Sequence, residues 1–183
     1  MDVEQVKADL KAMTQDELRV LVKLIDNRAD TYLHEASHAV VAVHLGLLFD
    51  YVTALPQVND EGNILLGHVH WADRIKQAIE QAIKQDTRDA IEPYAIAVIA
   101  PQAALPLLSV SLSDEEFSED NLLINVFLRF RQVTLSHLMA TAEAIVSQPP
   151  ILKAIRTVAD GLRDSETLTL ADVQRLYQET LNT

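Results

Sequence analysis

The chain has 183 residues, a formal net charge of −12 and no cysteine. That acidity argues against nucleic acid or anionic membranes as partners, because phosphate binding needs clustered Lys and Arg. Without thiols there is no disulfide framework, and any metal must be held by His and carboxylate. A hydrophobic fraction of 49% fits a globular chain long enough for one domain with a substantial core. No internal repeat, low-complexity tract or composition break occurs, so residues 1–183 read as a single domain, with residues 1–30 as an N-terminal helical extension. The start, MDVEQVKADLK, is charged and lacks the apolar stretch of a signal peptide. The longest apolar run, Tyr94 to Leu108, is interrupted by Pro101, Gln102 and Pro106 and is too short to span a bilayer. A soluble, cytoplasmic protein is expected.

Taken in chain order, most segments show helical spacing, and the predicted class is mainly α (α+β). Val3 to Met13 reads as a short amphipathic helix. Thr14 to Glu17 reads as a capping box opening a second helix, with Leu18, Leu21, Val22 and Ile25 on one side. Asp30 or Thr31 is the expected cap of a third helix running to about Gly46, a natural C-terminal stop. Phe49 to Leu55 and Asn63 to Trp71 are two candidate strands, joined by a turn over Asn59 to Gly62. A polar amphipathic helix follows from Asp73 to about Gln85. Glu92 and Pro93 then open a strongly apolar helix, the expected central core element. Ser109 to Glu119 reads as an acidic loop and Leu122 to Ser147 as one long helix, ended by a turn at Pro149 and Pro150. Two closing helices are expected, Ile151 to about Arg163 and Leu170 or Ala171 to Leu181, with Thr169 as N-cap of the second.

The chemistry lies in the third helix, where His34, Glu35, Ala36, Ser37 and His38 form an H-E-x-x-H string. Residues four apart on a helix sit on one face, about 6 Å apart along the axis, so both imidazoles can reach one zinc ion. Glu35 then faces the metal-bound water and can serve as general base. The bland alternative is an accidental match in an ordinary helix. Against it, an ionised glutamate inside such an apolar run is costly without a polar partner. Ala39 to Val43 and Leu45 make this helix apolar nearly all round, which predicts an enclosed site.

A zinc hydrolase needs a third protein ligand and one open position. His44 has the spacing of the last metzincin histidine, but Val41 stands where that motif has a helix-breaking glycine. On a continuing helix His44 lies about 9 Å beyond His38 and on another face, so a structural histidine is the better reading. Asp60 and Glu61 fall at a gluzincin-like distance but occupy a turn, and a solvated hairpin is expected there. His68 and His70 share one side of a strand; an exposed strand face is favoured over a metal role. Asp114, Glu115, Glu116, Glu119 and Asp120 precede the long helix, where capping needs only one or two of them.

The string HEASHAVVAVHLG, a VTALP strand, a turn and LLGHVHW together resemble the peptidase domain of the FtsH family of membrane-bound AAA proteases. AVIAPQAA is similar to that family's apolar helix, and VADGLRDSETLTLADVQRLY to its closing pair of helices, so the resemblance runs from about Tyr32 to the C-terminus. Ser37 stands where the family has glycine, and Leu105 where it usually has glutamate. The resemblance implies that a downstream aspartate completes the zinc site, with Asp120 as the matching position and Glu119 as the alternative. It implies a zinc metallopeptidase acting on unfolded chains or peptides, with Glu35 as catalytic residue and with family members assembled as rings. No phosphate-binding G-x-x-x-x-G-K-[ST] string and no membrane span occur here, so a separate ATPase or unfoldase is the expected partner. A substrate could add as a strand at the edge formed by Gly67 to Trp71. The competing expectation is a non-catalytic relative serving protein binding or oligomerisation.

Overall fold

Helices make up most of the protein and are arranged around the one that carries the histidine pair. The computed structural model describes residues 3–18, 20, 29–58, 62, 64–71, 73–85, 89–110, 118–129 and 133–182. Helix α1 spans Val3–Ala12. Thr14 and Glu17 form the expected capping box, the Glu17 carboxylate accepting from the Thr14 backbone and the Thr14 hydroxyl accepting from the Glu17 backbone. Residues 15–18 are helical; Leu21, Val22 and Ile25 lie outside the described residues. Gln15 ties this N-terminal segment to the sheet region by donating to the Pro56 carbonyl.

Helix α2, Ala29–His44, is buried along most of its length, with Ala36, Ala39, Val40, Val41 and Ala42 fully enclosed. It begins before Asp30 and Thr31, so neither is its cap; Asp30 instead sits in the first turn, where its charge meets the positive end of the helix. Gly46 ends it with φ +71°, its N–H bonding to Val43 and that of Leu47 to Ala42. That pair of bonds is a Schellman stop, which needs the left-handed backbone that glycine adopts without steric cost.

The strand region is more divided than its two apolar runs predict. Strand β1 is Tyr51–Thr53, β2 and β3 are the two-residue arms Gln57–Val58 and Ile64–Leu65, and β4 is His68–His70. The first run holds only β1, with β2 beyond Pro56, which lacks a ladder donor; the second breaks in the middle at Gly67, which abuts a side chain of α2. A third strand, β5 (Thr167–Thr169), pairs antiparallel with β1, giving the order β4-β1-β5 with β4 at one edge. Val52, Val69 and Leu168 form the buried face of this sheet, and β1 and β4 pack on α2.

Helix α3 is Arg74–Gln85 and α4 is Glu92–Leu107, with Pro93 in its first turn. Residues Ala95 to Ala100 are all buried, as expected of a central element, and α4 packs most extensively against α2 and α6. The long helix expected over Leu122 to Ser147 is two helices, α5 (Ser118–Phe127) and α6 (Leu135–Val146). Thr134 causes the break by taking an extended backbone and accepting from the His137 N–H as an N-cap. Pro149 and Pro150 open the next helix rather than form a closing turn: they are the first residues of α7, Pro149–Ser165, where no intrahelical donor is needed. Glu166, with φ +58°, turns the chain into β5. Helix α8, Leu170–Leu181, starts on the expected Thr169 cap, completed by Asp172 as a full capping box. Among the described residues, no helix is long and apolar enough to cross a membrane.

Candidate metal centre

Seven polar or charged residues are buried among those described, and five of them, Thr31, His34, Glu35, Ser37 and His38, lie on α2. Burying a polar group that finds no partner costs about 1–3 kcal/mol, so this concentration adds nothing to the core. Ser37 is accounted for locally, its hydroxyl donating to the Leu33 carbonyl one turn back. Leu105, the other departure from the FtsH pattern, is fully buried.

The histidines face a carboxylate from α5. His34 Nε2 lies 3.1 Å from His38 Nε2 and 3.1 Å from Asp120 Oδ2, and His38 Nε2 lies 3.3 Å from the same oxygen. Zinc bonds of about 2.0–2.1 Å at tetrahedral angles set neighbouring ligand atoms about 3.3 Å apart. The three atoms therefore form one face of a tetrahedron of the size zinc requires. Among the described residues this is the one group of three or more His or carboxylate side chains close enough to hold a metal ion. No protein-family model, curated protein or solved structure matches the chain. The chemistry of the site rests on its own geometry.

Asp120 is brought to the histidines by α5 lying against α4, and the Gln102 side chain of α4 donates to Asn121, the next residue. Burial raises the Asp120 carboxyl, but the His38 ring and then His34 outweigh it and hold it well below the usual carboxylate range. For His38, burial pushes the imidazolium down; Asp120, then Glu35 and the Ala97 carbonyl, lift it to about 9.

Two consequences have a definite sign. The raised His38 stabilises the metal-free fold fully below its ordinary 6.5 and loses that contribution as pH climbs through about 9. The lowered Asp120 contributes above its ordinary 3.8 and loses its share as pH falls. Urea unfolding of chelator-treated protein should therefore give lower stability at pH 9.5 than at pH 6. A metal ion bound there would have to displace the His38 proton, so metal affinity should rise across the same interval, with proton release detectable by calorimetry in buffers of different ionisation enthalpy. Stability that climbs from pH 6 to pH 9.5 would contradict the pairing.

Glu35 is 5% exposed, lies beside Gly67 on the strand side, and is not one of the three residues grouped closely enough to hold a metal. A Cβ built on Gly67 would stand 2.7 Å from Glu35 Cγ, 2.9 Å from its Oε1 and 2.8 Å from the Thr53 carbonyl. A larger residue at 67 must therefore displace Glu35 and also strain the backbone between Thr53 and residue 67, at a cost in stability. Gly67→Ala is expected to lower the melting temperature and keep metal binding, and to lower any hydrolysis that depends on Glu35 by about 10²-fold, the scale of a misplaced group. A melting curve, metal stoichiometry and steady-state kinetics on the purified variant check all three.

The other sequence candidates lie elsewhere. His44 is exposed on the last turn of α2, its Nδ1 2.9 Å from the Tyr177 hydroxyl, a structural contact as expected. His70 stacks on Tyr51 with centroids 4.8 Å apart, and its Nδ1 meets Asp50 at 3.0 Å. His68 lies partly buried on the same face; burial, then the His70 charge, lowers its pKa. Neither ring joins the ligand triangle. Asp60, Glu61, Asp114, Glu115 and Glu116, and the side chain of Glu119, lie outside the described residues. Sequence reasoning missed the Ala97 carbonyl, 2.9 Å from His38 Nδ1. A main-chain group leaves no residue-type signal, and only Pro101, four positions later, hints at it.

Proposed function

We propose that the chain is a zinc-dependent metallopeptidase of the FtsH peptidase type, with His34, His38 and Asp120 as ligands and Glu35 as general base. The observation that supports this most is the convergence of an aspartate from a separate helix on the histidine pair, with Glu35 beside but outside the ligand set. Two nitrogens and one oxygen in tetrahedral spacing suit zinc, and three protein ligands leave a fourth position open.

Bound there, zinc would supply Lewis acidity toward a peptide carbonyl and acidify water. The chain's own residues supply the rest. His38 donates Nδ1–H to Ala97, which keeps Nε2 turned inward with its lone pair available. Glu35 takes the proton of the attacking water as oxygen bonds to the carbonyl carbon. It then delivers that proton to the amide nitrogen as the C–N bond breaks, giving a carboxylic acid and an amine.

Strand β4 is an edge, so an extended substrate can add to it through main-chain hydrogen bonds. Beside that edge lies a groove of about 770 Å³, lined by Val69, Trp71, Ile75, Ile79 and Leu123 among others. Leu123 is one helical turn from Asp120, so an apolar substrate side chain seated there would lie close to the metal. Substrates are unfolded polypeptides or peptides, with a separate ATPase as the partner that unfolds larger ones.

Metal analysis of the purified protein, joined to casein and peptide hydrolysis with and without chelator, tests this reading. One zinc per chain and chelator-sensitive cleavage are expected. Failure to retain any metal would sink the peptidase reading and favour a binding or oligomerisation module; zinc without cleavage would reduce it to a metal-binding domain.

A further inference from the structure

We infer that Pro101 is a positioning residue for the metal site, acting through the Ala97 carbonyl. The inference rests on the metal-site reading given above. In an α-helix the carbonyl of residue i accepts from the N–H of residue i+4. For Ala97 that residue is Pro101, which sits inside α4 and has no N–H to offer. Proline in a helix interior also crowds the carbonyl four residues back, turning it away from the helical direction. Ala97 is fully buried, so its carbonyl has no access to bulk water. His38 Nδ1 lies 2.9 Å from this oxygen.

A carbonyl oxygen can only accept, so Nδ1 must carry the proton. That sets the tautomer of His38, leaving Nε2, the atom 3.3 Å from Asp120 Oδ2, as the metal-facing nitrogen. Helix α4 thus gives up one internal hydrogen bond at the point where it crosses the metal-bearing helix, and the released acceptor orients a ligand. Pro106 makes a built-in comparison. It lies in the same helix and removes the donor for Gln102, but it is exposed and its released carbonyl belongs to a residue that is not a neighbour of His38 in the hydrogen-bond pattern.

The decisive comparison is wild type, Pro101→Ala and Pro106→Ala, with zinc affinity measured by competition against a chromophoric chelator. Pro101→Ala restores an N–H that competes with His38 for the Ala97 carbonyl. Zinc binding should weaken by about 10–100-fold, the usual effect of losing the hydrogen-bond partner of a metal-ligating histidine. Pro106→Ala should bind zinc as wild type does. Pro101→Val restores the same N–H while filling the volume of the ring, and repeats the measurement if the alanine variant unfolds.

A second readout needs no metal. The His38 Nδ1 proton, followed in long-range ¹H–¹⁵N spectra of the metal-free protein, should exchange slowly in wild type and at least 10-fold faster in the Pro101 variants. A purely structural proline would change the melting temperature but not this exchange. Equal zinc affinity and equal exchange in Pro101→Ala and wild type would overturn the inference. If wild type binds no zinc the peptidase reading falls, and the exchange comparison still decides the role of Pro101.

Discussion

Replacing Glu35 with glutamine is expected to slow peptide hydrolysis by about 10²–10⁴-fold, the range for loss of a general base, while zinc remains bound. The three ligand atoms belong to His34, His38 and Asp120, so the metal count should stay at wild type. Glutamine has the shape of glutamate and fits the same space beside Gly67, but it cannot take a proton from water. The substitution removes both the desolvation cost of a buried carboxylate and its attraction for His38, two opposing effects, so the melting temperature should change little. Kinetics on a fluorogenic peptide, zinc per chain and a melting curve separate the three statements. Full activity in a zinc-loaded Glu35→Gln protein would remove Glu35 from the mechanism.

The second large effect is at Asp120. Asp120→Ala takes away one of three ligands, so zinc affinity should fall by more than the about 10–100-fold that a hydrogen-bond partner of a ligand carries. Hydrolysis should disappear with the metal at ordinary zinc concentrations and return in part under excess zinc. The same change removes the charge that does most to lift His38, so the His38 titration should move down, the direction burial alone imposes. NMR titration of the metal-free variant reads that shift. An Asp120→Ala protein with wild-type affinity would mean that another acid completes the site.

The helix carrying His34, Glu35 and His38 was legible because everything that makes it recognisable is local. Spacing of four places two rings on one face, the apolar flanks bury it, and Gly46 stops it. The capping box at Thr14 and the N-cap at Thr169 were legible for the same reason, since their donors and acceptors lie three residues apart. Where competition between neighbouring signals decided the outcome, periodicity misled. Leu122 to Ser147 keeps helical spacing throughout, yet Thr134 satisfies the His137 N–H and starts a new helix. Thr167 to Thr169 is too short to announce itself between two helices, and becomes a strand because β1 offers an open edge.

The sequence by itself determined the chemical inventory: two imidazoles and a carboxylate in helical register, no thiols, and an apolar helix to enclose them. It named Asp120 by resemblance, without a local pattern to carry it. Only the tertiary structure decided that α5 brings Asp120 within 3.3 Å of both rings, that Gly67 leaves room for Glu35, and that the Ala97 carbonyl accepts a hydrogen bond from His38 Nδ1. The division has a physical reason. Register along one helix follows from backbone geometry and is written in spacing. Convergence of groups from α2, α4, α5 and β4 follows from how whole faces pack, and no single segment contains that information.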